Sequence, residues 1–195
     1  MTIEANRSTS ETEVEVTWNP ESTEVRPSDI HTGVAFFDHM LGAMATHGRL
    51  AITVSARGDL DVDCHHLVED VGIVLGRVLA EGRPRSPVRF GWSVVPMDDA
   101  LVMVSLDFSG RSYLAIDLDL PPRSFGDFHT ENVEDFLRAL TANAGITMHV
   151  RLIAGYNVHH VLEACFKALG IALGTALAER GGMIPSTKGV LEGPI

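Results

Sequence analysis

Asp63-Cys64-His65-His66-Leu67-Val68-Glu69-Asp70 sets two adjacent histidines three and four residues ahead of a carboxylate. The apolar positions that follow, Val71, Ile73, Val74, Leu75, Val78 and Leu79, predict a helix whose first turn carries the motif. Residues three and four apart are neighbours on a helix surface, so Glu69 can meet either histidine. Imidazole nitrogen with carboxylate oxygen is a ligand set suited to a divalent transition metal. The pattern returns 94 residues later (159 − 65) as His159-His160-Val161-Leu162-Glu163-Ala164. Leu75-Gly76 and Leu169-Gly170 keep the same offset. An internal repeat of this kind predicts two similar halves in one chain. Two coincident His-His-x-x-Glu motifs point to metal binding rather than to solvated surface.

Working outward, Val14, Val16 and Trp18 alternate with polar residues and predict a strand. Val34 to His47 carries Phe36, Phe37, Met40, Leu41 and Met44 at helical spacing, with Gly48 as its stop. Leu50, Ile52 and Val54 predict a strand leading through Gly58-Asp59 to the first motif helix, which runs to about Glu81. Gly82-Arg83-Pro84-Arg85-Ser86-Pro87 is a breaker cluster and the expected boundary between halves. Strands follow at Val88 to Val95, Leu101 to Leu106 and Tyr113 to Leu118. A helix is expected from Glu131 to Asn143, a strand over Ile146, Met148, Val150 and Leu152, and the second motif helix from there to Gly181-Gly182. The fold class is α+β: a tandem repeat of halves at 1–87 and 88–183, each a sheet with helices on one face, with a tail at 184–195.

The 195 residues are 45% hydrophobic and 21% charged, ordinary for a globular chain. A net charge of −11 argues against a general nucleic-acid binder and requires a local basic patch for any anionic substrate. The polar, acidic stretch Met1 to Glu15 does not resemble a secretory signal. No apolar run approaches the ~18–20 residues of a membrane helix, so no membrane partner is expected. Cys64 and Cys165 make no disulfide framework, and the expected location is cytoplasmic. Cys64, beside the motif, is read as a small half-buried residue, with a soft metal ligand as the alternative.

One His-His-x-x-Glu motif offers three ligands, too few for a closed site. The repeat suggests the rest. His39 lies in the helix before the first motif and Asp135 in the corresponding helix of the second half, at an offset of 96 (135 − 39). One metal would then take His39, His66, His159 and Glu163, and the other His65, Glu69, Asp135 and His160. Each motif splits its histidines between two ions, because adjacent helical positions point about 100° apart. His149, in the strand beside Met148 and Val150, is the competitor to Asp135.

The chain closely resembles the imidazoleglycerol-phosphate dehydratase family over nearly its whole length. The resemblance is carried by Ser10-Glu11-Thr12, Phe36-Phe37-Asp38-His39-Met40-Leu41, both histidine motifs, Pro96-Met97-Asp98, Asp107-Phe108-Ser109-Gly110-Arg111, Ala144-Gly145-Ile146-Thr147 and Pro185-Ser186-Thr187-Lys188-Gly189. It implies two manganese ions per active site on the ligands above. It also implies halves that are ribosomal protein S5 domain 2-like, and a homo-oligomer of twenty-four subunits built from trimers, with active sites between subunits. The implied substrate is a small phosphorylated imidazole. Its implied contacts are Glu11, His39, His47, His65, Glu69, Arg89, Arg111, His159, Lys167, Ser186, Thr187 and Lys188. Arg89, Arg111, Ser186 and Lys188 suit a phosphate on chemical grounds.

The resemblance implies dehydration of imidazole glycerol phosphate to imidazole acetol phosphate. The proton removed sits beside an imidazole with no carbonyl to acidify it, so metal ions favouring the imidazolate would drive hydroxide out. Glu11, His47, Asp98 and Glu163 are the candidates for the acid and base. Asp135 stands where relatives commonly carry His or Glu, and Asp99 where Glu usually follows Pro-Met-Asp. Alternatives are a divergent member of weak or altered activity, a dinuclear metallohydrolase, and a non-catalytic metal-stabilised shell protein.

Overall fold

The structure is a computed structural model and describes residues 1–181. The first half runs β1 (Ile3–Ser8), β2 (Thr12–Trp18), β3 (Ile30–His31), α1 (Ala35–Gly48), β4 (Ile52–Gly58) and α2 (His65–Glu81). The second runs β5 (Phe90–Met97), β6 (Ala100–Asp107), β7 (Tyr113–Asp117), a small hairpin β8 (Ser124–Phe125) and β9 (Phe128–His129), then α3 (Asn132–Ala144), β10 (Thr147–Ala154) and α4 (Val158–Leu177). The two four-stranded sheets have matching orders, β1-β2-β4-β3 and β5-β6-β10-β7. In each, the third strand in sequence pairs in parallel with the fourth, Ile30 with Val54 and Tyr113 with Thr147, while the other pairs are antiparallel. The chain is thus α+β with mixed sheets and a repeated topology.

Period-two alternation puts Val14, Val16 and Trp18 of β2, and Val102, Val104 and Leu106 of β6, on the buried face of their sheets. The helices cover that face. α2 packs on β2 and against α3 of the other half; α4 packs on β5 and β6 and against α1. Helices from the two halves therefore meet at the centre, and one continuous apolar core serves both. Glycine permits the close approach. A Cβ on Gly170 of α4 would lie 2.1 Å from the Met44 carbonyl oxygen of α1. One on Gly76, its counterpart in α2, would lie 2.9 Å from the Leu140 carbonyl oxygen of α3.

The structure corrects several expectations. β1 was not read from the sequence; it pairs along the whole of β2, from Ile3 with Trp18 to Ser8 with Glu13. β5 begins at Phe90 rather than Val88, because the Val88 and Arg89 N–H groups donate to the Ala178 and Ala176 carbonyls at the end of α4. α4 stops at Leu177, short of Gly181, since Ala178 turns extended and Glu179 bridges to Pro87. α4 also has the length and hydropathy of a membrane span, which the sequence reading denied to any segment. In the fold 72% of its apolar window is buried inside the protein.

Candidate active site

Both histidine motifs open a helix, and in both a side chain two residues upstream accepts the N–H of the first histidine. Asp63 Oδ1, one residue before the N-cap Cys64, accepts the His65 N–H at 2.7 Å, and the N-cap Asn157 Oδ1 accepts the His159 N–H at 3.0 Å. These bonds satisfy otherwise orphaned donors of the first turn. The two acceptors are themselves 94 residues apart (157 − 63), a repeat signal that the sequence reading passed over.

α1 and α4 bring His39, His159 and Glu163 together. One ligand atom from each lies within 4.8 Å of the others. Glu163 Oε2 is 3.7 Å from His39 Nε2 and 3.4 Å from His159 Nε2. Its other oxygen takes the Lys167 ammonium at 2.8 Å. Burial opposes ionisation of Glu163, but Lys167, His39 and His159 outweigh it and hold the carboxyl below the ordinary glutamate range. A buried carboxylate that stays ionised beside two imidazole nitrogens is a donor set fitted to a divalent cation.

The corresponding group in the first motif is partly assembled. His65 Nδ1 lies 3.2 Å from Asp135 Oδ2, which brings α2 and α3 together at this point. Glu69 is exposed one turn further along α2. His149 is on the exposed face of β10 beside the Tyr113 ring, away from Met148 and Val150, so it does not replace Asp135. Cys64 is fully buried, donates its S–H to the Asp127 carbonyl and to Asn132 Oδ1, and has its thiol pKa raised by burial. It is a packing residue, more buried than expected.

The remaining two histidines do not join the cluster of His39, His159 and Glu163. His66 Nδ1 is held by Asp59 at 3.1 Å, with Glu11 Oε2 at 3.8 Å. His160 Nδ1 is held by Asp99 at 2.6 Å. Asp99 in turn accepts the N–H groups of Asn157 and Tyr156, which together with His160 depress its pKa. On the far side of the His160 ring, Nε2 lies 3.5 Å from Asp98 Oδ2. Asp98 has φ 48 in the two-residue turn joining β5 to β6. Asp59 and Asp99 were not singled out as site residues, because a lone aspartate in a loop has no spacing that marks it.

Among the expected substrate contacts, His47 shares a cleft of about 430 Å³ with Asp38, His39, Thr46, Glu163 and Lys167. Arg111 is exposed after β6. Arg89 is engaged inside the chain: Nε and Nη2 contact Asp107 at 2.6 and 3.0 Å, and the guanidinium lies over Phe90. That fork faces the Asp107 carboxylate within the chain. Ser186, Thr187 and Lys188 lie outside the described residues.

Comparison with known proteins gives one consistent result. The family model for imidazoleglycerol-phosphate dehydratase matches residues 32–173. An imidazoleglycerol-phosphate dehydratase from a Thermoanaerobacter species is 58% identical over 167 residues, covering 84% of this chain and 86% of the relative. One from Caldanaerobacter subterraneus is 53% identical over 192 residues, covering 96% and 98%. The crystal structure of the Pyrococcus furiosus enzyme superposes with a TM-score of 0.83 at 37% identity, over 96% of this chain and all of that one. The Staphylococcus aureus enzyme gives 0.81 at 38%, over 92% of this chain.

Proposed function

The chain belongs to the imidazoleglycerol-phosphate dehydratase family of hydro-lyases, and from that premise we propose that it dehydrates D-erythro-imidazole glycerol phosphate to imidazole acetol phosphate, in histidine biosynthesis, with two Mn²⁺ per active site. The observation that carries the proposal is the convergence of His39, His159 and Glu163, with Glu163 kept ionised by Lys167. Those three residues would hold one ion, joined by His66. His65, Glu69 and Asp135 would hold the other, joined by His160.

The bound ions would supply Lewis-acid charge that favours loss of a proton from the substrate imidazole. The chain's own residues do the rest. The cleft beside His39 admits the substrate past His47. Glu11 lies 3.8 Å from His66, Asp98 3.5 Å from His160, and His47 in the cleft beside His39, and these would be the residues for proton transfer to and from carbon and oxygen. Glu163 would be the poorest of the candidate bases, since the Lys167 ammonium and the two nearby imidazoles lower its pKa and with it its basicity. Arg111, with Ser186, Thr187 and Lys188, would hold the phosphate by charge-assisted hydrogen bonds.

His66 and His160 lie apart from the cluster they are assigned to complete or face, which supports active sites shared between copies of the chain. The assembly would be the twenty-four-subunit particle built from trimers that the family resemblance implies, in the cytoplasm, with no nucleic-acid or membrane partner.

The test is turnover of imidazole glycerol phosphate before and after exhaustive chelation, with metal content measured in parallel. Activity should vanish with the metal and return with Mn²⁺. Unchanged turnover after verified removal would contradict the metal mechanism, and no turnover by the reloaded protein would contradict the reaction.

A further inference from the structure

We propose that Asp99 and Asp59 are positioning residues that lock His160 and His66 in the Nδ1–H tautomer and so reserve Nε2 of each ring for a metal ion. The inference rests on the metal reading above and concerns the two histidines that the chain's own ligand groups leave aside.

The chemistry follows from hydrogen-bond roles. A carboxylate accepts and does not donate, so a ring nitrogen held against it must carry the proton. His160 Nδ1 is 2.6 Å from Asp99 Oδ1, and His66 Nδ1 is 3.1 Å from Asp59 Oδ2. In the neutral ring the other nitrogen is then the lone-pair atom. For His160 a second contact gives the same assignment. The Asn157 carbonyl oxygen is committed to the His159 N–H, so its amide nitrogen faces His160 Nε2, at 3.4 Å, and that nitrogen must accept. Asp98 Oδ2, 3.5 Å from the same Nε2, is another acceptor. A cation bound there would take the place of the Asn157 amide on Nε2 and would also meet the Asp98 carboxylate.

Asp99 is itself fixed. Its Oδ2 accepts the Tyr156 and Asn157 N–H groups at 2.7 and 3.0 Å, which leaves Oδ1 for the imidazole. The clamp therefore ties the β5–β6 turn to the loop that starts α4. For His66 the clamp comes from Asp59, in the β4–α2 connection, with Glu11 from the β1–β2 turn behind it. The two halves thus reach the same result from different loops. A carboxylate on the outer nitrogen of a metal-bound histidine fixes the tautomer and raises ligand basicity, and its loss typically lowers metal affinity about 10–100-fold.

The experiment compares Asp99→Asn, Asp99→Glu, Asp59→Asn, His160→Ala and His66→Ala with wild type. Mn²⁺ affinity and stoichiometry are measured by calorimetry and elemental analysis. The histidine tautomers of the metal-free protein are read from nitrogen chemical shifts after ¹⁵N-histidine labelling. Each Asp→Asn change should weaken one of the two ions about 10–100-fold. It should also shift the tautomer of its own histidine alone. Asn keeps a carbonyl oxygen for the backbone N–H groups, so the Asp99 variant should still fold, with a metal-free melting temperature somewhat below wild type because the lost charge favours the fold. Asp99→Glu should restore Mn²⁺ affinity toward wild type. If His160→Ala and His66→Ala each lose an ion while the Asn variants bind Mn²⁺ normally with unaltered tautomers, the positioning role is wrong and the ligand reading stands. If the two alanine variants keep both ions, the ligand reading itself has failed.

Discussion

At the scale of single residues the site turns on Glu163, a carboxylate buried among groups that keep it charged. In the unfolded chain it titrates as an ordinary glutamate. In the fold its pKa is lower, so its ionised form contributes stability that is present above the ordinary range and lost as pH falls through the folded value. Glu163→Gln should therefore cost the metal-free protein about 1–3 kcal/mol near pH 7. The gap should close in acid below the glutamate range. Urea unfolding at the two pH values checks this, and a gap that persists in acid would show that shape rather than charge is what Gln fails to supply. The histidines and Glu163 were legible from the sequence because a repeated i, i+1, i+4 pattern is improbable by accident. The residues that hold them were not. Asp59 and Asp99 act across loop closures, and their partners become visible only when β4, the β5–β6 turn and α4 are placed together. Arg89 shows the converse: its chemistry, which suits a phosphate, was legible, while its pairing with Asp107 carries no sequence spacing that could announce it.

At the scale of elements the alternation of Val14, Val16, Trp18 and of Val102, Val104, Leu106 identified central strands, since each has one face in the core. β1 escaped because it is an edge strand with only Ile3 fully on the apolar side; backbone bonds to β2 hold it, and these leave no side-chain signature. The end of α4 escaped because Leu173, Ala176 and Leu177 keep helical spacing up to the point where Glu179 pairs with Pro87. The repeat itself was legible, but not that each half packs its second helix on the first helix of the other. Gly76 and Gly170 are the trace of that packing. Gly170→Ala would press a Cβ onto the Met44 carbonyl, which is backbone and cannot swing aside. It should destabilise the protein by about 1–3 kcal/mol, as overpacking does. Chemical denaturation measures this, and unchanged stability would mean that α1 and α4 slide apart freely.

At the scale of the whole molecule, two topologically matched halves share one core, with His39, His159 and Glu163 in one group of ligand atoms and His66 in another, beside Glu11 and Asp59. The central claim is that neighbouring copies complete each other's sites. His66 of one copy would join His39, His159 and Glu163 of the next. His66→Ala and Glu163→Gln should each abolish turnover when present in every subunit. Mixing the two variants through disassembly and reassembly then tests the claim most directly. Sites that draw His66 from one variant and Glu163 from the other are intact. Random mixing of equal amounts should thus restore about a quarter of wild-type activity, as expected for a heterologous contact between identical chains. Mixed particles that form, carry both variants and remain inactive would contradict it.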